Sequence, residues 1–331
     1  MTACGLAWGL LWLVGCATGD LEDPPGTLLW VDASAVGSSV VGRRSGQPWS
    51  APDLPGATFA GPIDPQGTHV LLVSSEDHAG EHIEQLWLVG LDSGEVQPLS
   101  DRASKVRNPR WSRDGSWIVF ESSRESFRDL YRVSRFGQGL TRLTEAPGGS
   151  FEPDVSPDGS ILFGSSRAGN AELYRLDPDS GQTRRLTDHP TDDVRPTWSP
   201  SGQHIAWLSS REGVPQVWRM DASGSAPQRL WRSETSGVDL DVRWSPTEDR
   251  LAVVSRLGSD SVRLTVVSLG GEVMWQASAA PVQEHPQWSA DGAWLAWTAT
   301  TDGQSRIWAA RSDGSQARQV AADGWLPRWG R

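Results

Sequence analysis

The sequence predicts an all-β protein, a β-propeller of four-stranded antiparallel blades, and three observations support this. One phrase recurs along the 331-residue chain, as WSRDGSWIVF from residue 111, VSPDGSILF from 155 and WSPSGQHIAWL from 198. Its copies are spaced by 41 to 48 residues, a period typical of propellers and other repeat architectures. Each repeat unit carries four apolar clusters separated by Gly or Pro turns, as expected for four short strands.

The predicted first strand of each repeat ends on a large apolar residue, and these residues set the alignment. They are Ile63, Trp111, Val155, Trp198, Trp244, Trp288 and Trp329. The second strands, such as residues 205–208 (IAWL), are apolar throughout, which indicates that both of their faces are buried. No segment shows a sustained helical period.

The two ends of the chain complete each other in this scheme. Residues 23–34 supply a turn and a second strand without a first strand before it, whereas residues 326–329 supply a first strand with nothing after it. We therefore predict seven blades, with the C-terminal strand closing the N-terminal blade and removing exposed edges. Six blades followed by a C-terminal tail is the alternative.

The N-terminus predicts export and lipidation. Residues 5–15 are apolar and uncharged but too short to span a bilayer, which needs about 20 residues, so they suit a signal peptide. Leu13-Val14-Gly15-Cys16 resembles the bacterial lipobox, which implies cleavage before Cys16 and lipidation of that residue. We predict a signal peptide at 1–15, a lipid-anchored linker at 16–22 and a propeller domain at 23–331. A plain signal peptide or a buried N-terminal strand is the alternative.

Composition narrows the function. The net charge of −11 and the lack of a Lys/Arg block argue against nucleic-acid binding, because phosphate contacts need clustered cations. The only cysteines are Cys4 and Cys16, so the mature domain would carry no thiol for zinc or nucleophilic catalysis. We predict a monomer without a cofactor that meets the membrane only through its lipid anchor.

The repeat phrase resembles the TolB-like, WD-like β-propeller repeat. The resemblance rests on residues 153–159 (PDVSPDG) with Arg167, Tyr174 and Leu186-Thr187, and it is repeated in two further units, at 109–115 with Arg124 and at 196–202 with Arg211. It implies a domain that binds proteins or belongs to envelope complexes, although some members cap peptidases or are sugar lyases. The recurring Arg124, Arg167 and Arg211 are interpreted as links between strands.

Function is expected where the blades differ from one another. The residues three and one positions before each aligned apolar residue vary strongly, and alternate residues of a strand share a face. Since first strands line the channel of a propeller, these side chains should crowd one mouth of it. The predicted partner-binding residues are Asn108, Arg110, Glu152, Asp154, Arg195, Asp241, Arg243 and His285. The alternative is a set of local salt bridges and solvated loop residues.

A second irregular segment is EDHAGEHIE, residues 76–84, which holds His78, His82 and four carboxylates. Such residues can hold a divalent metal, but the segment reads as an exposed acidic loop, and no metal ligand is assigned.

These inferences favour a non-enzymatic lipoprotein of the bacterial envelope, anchored in the outer membrane and facing the periplasm. It would bind another envelope protein or a cell-wall component. No G-x-S-x-G motif or separate hydrolase domain is present, so no catalytic residue is assigned. A metal-dependent lyase or hydrolase that acts on an oligosaccharide at the channel mouth is the alternative.

Overall fold

The computed structural model describes residues 26–330 except 33–37, 79, 102–104, 126, 234–236, 248–249 and 279. These residues form 28 β-strands and no α-helix, and hence no helix of membrane-spanning length and apolarity. The predicted signal peptide, the linker and Cys16 lie outside the described residues.

The strands fall into sets of four. One set joins both ends of the described chain: β28 (Trp325–Gly330), β1 (Thr27–Asp32), β2 (Ser39–Arg44) and β3 (Gln47–Ser50). The next is β4 (Ala57–Ile63), β5 (His69–His78), β6 (Glu81–Gly90) and β7 (Val96–Pro98). It is followed by β8 (Val106–Trp111), β9 (Trp117–Ser122), β10 (Asp129–Ser134) and β11 (Thr141–Arg142).

The second half of the chain repeats the arrangement. Its sets begin with β12 (Ser150–Val155), β13 (Ile161–Ser165), β14 (Glu172–Leu176) and β15 (Thr183–Arg185). They continue with β16 (Asp193–Trp198), β17 (His204–Ser209), β18 (Gln216–Asp221) and β19 (Gln228–Arg229). Then come β20 (Val238–Trp244), β21 (Arg250–Arg256), β22 (Val262–Ser268) and β23 (Val273–Gln276). The last are β24 (Val282–Trp288), β25 (Trp294–Thr301), β26 (Gln304–Arg311) and β27 (Arg318–Ala321).

Within each set the strands pair antiparallel, which confirms the predicted all-β class and the four-stranded sheets. Five sets form separate sheets. The sets β20–β23 and β24–β27 are joined into one sheet of eight strands, but only by a single parallel bridge between Val262 and Val282.

The first strands of the sets contact one another in a cyclic order. Each of β4, β8, β12, β16, β20 and β24 contacts the first strand of the next set, and β28 contacts both β24 and β4. The C-terminal strand also pairs with β1, with Leu28 opposite Trp329 and Thr27 opposite Gly330.

The core lies between neighbouring sheets, on both faces of the second strands. In β9, β13 and β17 every residue after the first is buried, and Phe120, Phe163 and Trp207 are fully inaccessible to solvent. This confirms that continuous apolarity marked strands covered on both sides.

The recurring arginines link the second strand of a sheet to the third. The guanidinium groups of Arg124 and Arg167 lie 4.7 Å from the ring centres of Tyr131 and Tyr174, and that of Arg211 lies 4.6 Å from Trp218. Cation–π contacts at this range are stabilising, so the interpretation as links between strands is confirmed.

The tryptophans that end the first strands tie neighbouring sheets together. The indole N–H groups of Trp111, Trp244 and Trp288 donate to the carbonyl oxygens of Pro62, Thr197 and Arg243, at 3.2, 3.3 and 3.3 Å. Each acceptor belongs to the first strand of the preceding set of four strands. Tryptophan therefore serves here both as apolar core and as a hydrogen-bond donor across the sheet boundary.

Candidate functional site

Five first strands share one backbone distortion. In each, the residue three positions before the strand's final tryptophan or valine has a positive φ and is followed by proline. These residues are Asn108 (48°), Glu152 (55°), Arg195 (52°), His285 (55°) and Leu326 (58°). A positive φ is uncommon outside glycine, and a residue before proline normally adopts an extended conformation. Such a conformation costs about 1–3 kcal/mol per residue and persists only where the surrounding structure imposes it.

The distortion is a bulge, and it corrects the geometric argument made from the sequence. The pairing of β8 with β9 jumps from Arg107 to Arg110, so the strand does not alternate regularly between them. The prediction that Asn108 and Arg110 share a face by regular strand alternation is therefore wrong. The left-handed residue, rather than simple alternation, directs these side chains.

The predicted residues nevertheless meet. A cavity of about 130 Å³, called here the mouth cavity, is lined by seven of the eight predicted partner-binding residues: Asn108, Arg110, Glu152, Asp154, Arg195, Asp241 and Arg243. The eighth, His285, lies 6.3 Å from the ring centre of Trp325 instead. Burial lowers the pKa of His285, and its Nδ1 is buried without a hydrogen-bond partner.

A buried carboxylate that the sequence analysis missed organises the mouth cavity. Glu121, in β9, is inaccessible to solvent, and its Oε1 accepts hydrogen bonds from Asn108 Nδ2 at 2.7 Å and from the backbone N–H of Glu152 at 2.6 Å. Glu152 accepts the N–H of Arg195 at 2.7 Å in turn. Carboxylates of one sheet therefore satisfy the bulged backbone of the next. The signal was available as the one charged residue in the apolar stretch WIVFES.

The remaining charges pair more loosely. Arg195 approaches Glu152 at 3.8 Å and Asp241 at 4.0 Å, and Arg243 approaches Asp241 at 3.2 Å. Half of the Arg195 side chain (49%) is exposed, against 29% for Glu152 and 15% for Asp241. Burial raises the pKa of Glu152, and Arg195 opposes that shift. Arg243 and Asp241 therefore form a local salt bridge, as the alternative of local salt bridges predicts. Arg195 is exposed to solvent, and its distances to Glu152 and Asp241 are long for ion pairs.

A larger cavity of about 560 Å³ lies beyond the mouth cavity, and we call it the tryptophan cavity. Its lining includes all seven residues that align the repeats: Ile63, Trp111, Val155, Trp198, Trp244, Trp288 and Trp329. Asp154, Thr197 and Arg243 line both cavities, so the two cavities adjoin. Asp154 is held against the adjacent sheet, because its carboxylate accepts Trp198 N at 2.7 Å and Thr197 Oγ1 at 3.1 Å.

The acidic segment 76–84 is not a loop, contrary to expectation. It forms the end of a hairpin in which β5 runs to His78 and β6 starts at Glu81. His82 Nδ1 lies 2.9 Å from Asp77 across the hairpin, and this hydrogen bond raises the pKa of His82. The charged side chains of this segment therefore project from two paired strands. Nowhere in the described residues do three His, Cys, Asp or Glu side chains converge as a metal site would require.

Comparison with known proteins identifies the repeat. The family described as the TolB beta propeller domain matches residues 138–330, more than half of the chain. The uncharacterized peptidase YuxL of Bacillus subtilis is 32% identical over 98 residues, 29% of this chain and 15% of that protein. An uncharacterized protein of Agrobacterium fabrum is 32% identical over 79 residues, 24% of this chain and 27% of that protein. The matches thus cover less than a third of either relative.

Solved structures share the fold at low identity. TolB from Acinetobacter baumannii superposes with a TM-score of 0.62 at 18% identity, covering 91% of this chain and 82% of that one. An oligogalacturonate lyase in complex with manganese gives 0.63 at 13% identity, covering 90% and 86%. A prolyl endopeptidase gives 0.70 at 16% identity and covers 91% of this chain but 49% of that one.

Proposed function

The chain belongs to the TolB β-propeller domain family, and on that premise we propose that it is a closed propeller whose polar channel mouth binds a partner. The partner is another envelope protein or a cell-wall component, and the protein acts by binding rather than by catalysis.

We propose seven blades closed by β28. Three observations support this count: the cyclic contacts of the first strands, the pairing of β28 with β1, and the seven alignment residues around one cavity. In a six-bladed ring the C-terminal strand would have no place in this cycle.

One observation carries the binding function. Of the five first-strand residues with a positive φ before proline, four are polar or charged, and three of these line the mouth cavity. Strain of this kind concentrates at functional sites, because folding stability alone would favour unstrained strands. Side chains of four sheets are thereby gathered at a single opening, with Arg195 exposed for contact.

The alternative is a lyase or hydrolase that acts on an oligosaccharide at the same mouth. The similar solved structures include an oligogalacturonate lyase. Incubating the protein with oligogalacturonate and Mn²⁺ tests the lyase. Formation of an unsaturated sugar product would support a catalytic function and contradict a purely binding one.

We expect Arg195→Gln to weaken partner capture at least about fivefold, since it removes the exposed charge and leaves the backbone N–H on Glu152. The melting temperature should change by less than about 2 °C, because exposed ion pairs contribute little to stability. Partner capture is measured with the full chain as bait in envelope extract, and the melting temperature is measured on the purified full chain. Arg184→Gln on the exposed outer strand β15 is the matched control. Equal capture by both variants would contradict a role for the mouth.

We place the protein in the bacterial envelope, attached through Cys16 to the outer membrane and facing the periplasm. Cys16→Ser should move it from the membrane fraction to the soluble fraction, because the acyl chains that hold it would not be added. Fractionation with a high-salt wash measures this, with Cys4→Ser as the control that should stay attached. A Cys16→Ser protein that resists the wash would refute lipid anchoring.

A further inference from the structure

Three arginines occupy equivalent positions in three first strands. Arg110, Arg243 and Arg328 each stand one residue before the tryptophan that aligns the repeats, Trp111, Trp244 and Trp329. Arg110 and Arg243 line the mouth cavity, and Arg243 also lines the tryptophan cavity. Burial, followed by the charges of Arg110 and Arg243, lowers the pKa of Arg328 to about 9, whereas Asp241 opposes the shift.

Only one of the three has a carboxylate partner among the described residues. Arg243 pairs with Asp241 at 3.2 Å. Arg110 and Arg328 each donate instead to the carbonyl oxygen of the preceding proline, at 3.1 and 3.0 Å. A carbonyl oxygen does not neutralise a guanidinium, and each group keeps further N–H donors.

The carboxylates of the mouth offset this positive charge only in part: burial and Arg243 lower the pKa of Arg110, and Asp154, Asp241 and Glu121 oppose that shift without reversing it. Asp154 uses its carboxylate on Trp198 N and Thr197 Oγ1, and Asp241 is shared by Arg243 and Arg195. Glu121 is engaged with Asn108 and the Glu152 backbone, and lies 3.2 Å from Arg128. Because arginine remains charged at neutral pH even when its pKa is lowered, the repulsion persists in the free protein.

We propose that the channel binds an oxyanion, a carboxylate or phosphate group of the ligand recognised at the mouth, between Arg110, Arg243 and Arg328. This rests on the proposed binding function and names the chemistry that it recognises. Guanidinium groups suit such a ligand, since their planar N–H pairs match carboxylate and phosphate oxygens. An anion there would accept hydrogen bonds from the unused N–H groups and would reduce the repulsion among the arginines.

The test uses the full chain and small anions at one ionic strength: chloride, acetate and inorganic phosphate. We expect acetate or phosphate to raise the wild-type melting temperature by at least about 2 °C over chloride, as a ligand specific for the folded state does. Whichever anion is more effective identifies the source as carboxylate or phosphate. Arg110→Gln/Arg328→Gln should lose this rise, whereas Arg184→Gln should keep it.

The double variant also separates a ligand site from a structural role. In chloride it should melt close to the wild-type temperature, because relief of the repulsion among the arginines offsets the lost attraction between Arg110 and Asp154. Arginines that mainly stabilise the fold would give a clear fall. No rise in the wild type, or an undiminished rise in the double variant, overturns the proposal. Should the double variant fail to fold, calorimetric titration of wild type and Arg328→Lys decides, and absence of phosphate and acetate binding to wild type again overturns it.

Failure here is distinguishable from failure of the proposed function. If Arg195→Gln reduces partner capture while neither anion acts, the mouth binds its partner without an oxyanion. If the anions act and capture is unaffected, the anion site stands apart from the partner surface, and the link between them is refuted.

Discussion

Removing residues 325–331 will leave a protein that no longer unfolds cooperatively at the wild-type temperature. The deletion takes away β28, so β1 loses its ladder partner and two sheet faces lose their cover. Trp329 is only 7% exposed and belongs to a cluster with Leu28, Trp30 and Trp294. Burying such a tryptophan contributes about 3–5 kcal/mol, a large part of the 5–15 kcal/mol that stabilises a typical domain.

The single substitution Trp329→Ala should therefore lower the melting temperature by about 10 °C, measured by circular dichroism. The matched control is Trp49→Ala in β3 of the same sheet, at the edge away from the ring, where the side chain is half-buried and the loss should be smaller. A truncated protein that melts like the wild type would contradict closure by β28 and with it seven blades.

Asp239→Asn will change how stability depends on pH. Asp239 is 1% exposed, and its carboxylate accepts Ser255 Oγ at 2.7 Å and Val217 N at 3.0 Å. Burial raises its pKa from 3.8 to about 6. In the preceding sheet the equivalent Asp193 pairs with Arg211 at 2.7 Å, but Leu257 stands where that arginine would be. No cation among the described residues pairs with this buried carboxylate.

The folded state holds this proton more tightly than the unfolded chain, so the stabilisation is complete below pH 3.8 and is lost as the pH rises through about 6. The rise in the pKa of Asp239 from 3.8 to about 6 corresponds to about 3 kcal/mol of the free energy of unfolding. Relative to Asp239→Asn, the wild type should lose about that much free energy of unfolding between pH 4 and 7 in urea denaturation. Leu257→Arg should restore an ion pair and flatten the dependence. Parallel pH profiles for wild type and Asp239→Asn would contradict the account.

The four-stranded sheets could be predicted because their cause is local. Turn residues and apolar clusters repeat at fixed spacing, and each second strand carries its burial in its own composition. Seven of the eight predicted residues line the mouth cavity, because the first strands of successive sets contact one another and bring these positions together.

The details of the mouth could not be predicted in the same way. The bulged backbone at Glu152 and Arg195 donates hydrogen bonds to carboxylates of the neighbouring sheet, 31 and 43 residues away in sequence. A proline follows each bulged residue, and proline inside a strand is a sequence sign of irregular pairing. Glu121 is visible in the sequence as a charge inside an apolar strand. Its role could not be predicted, because only the tertiary structure brings Asn108 and the backbone of Glu152 to it. The acidic hairpin at 76–84 was misjudged because its charges suggested a loop, whereas cross-strand pairing extends to its tip.

The most direct test of the central claim, that the channel mouth is the contact surface, is site-specific photocrosslinking in intact cells. A photoreactive amino acid replaces Arg107, which is exposed beside the mouth cavity, or Arg184, which is exposed on the outer strand β15. The account predicts a discrete crosslinked partner from position 107 and none from position 184. A partner crosslinked from position 184 and absent from position 107 would contradict it.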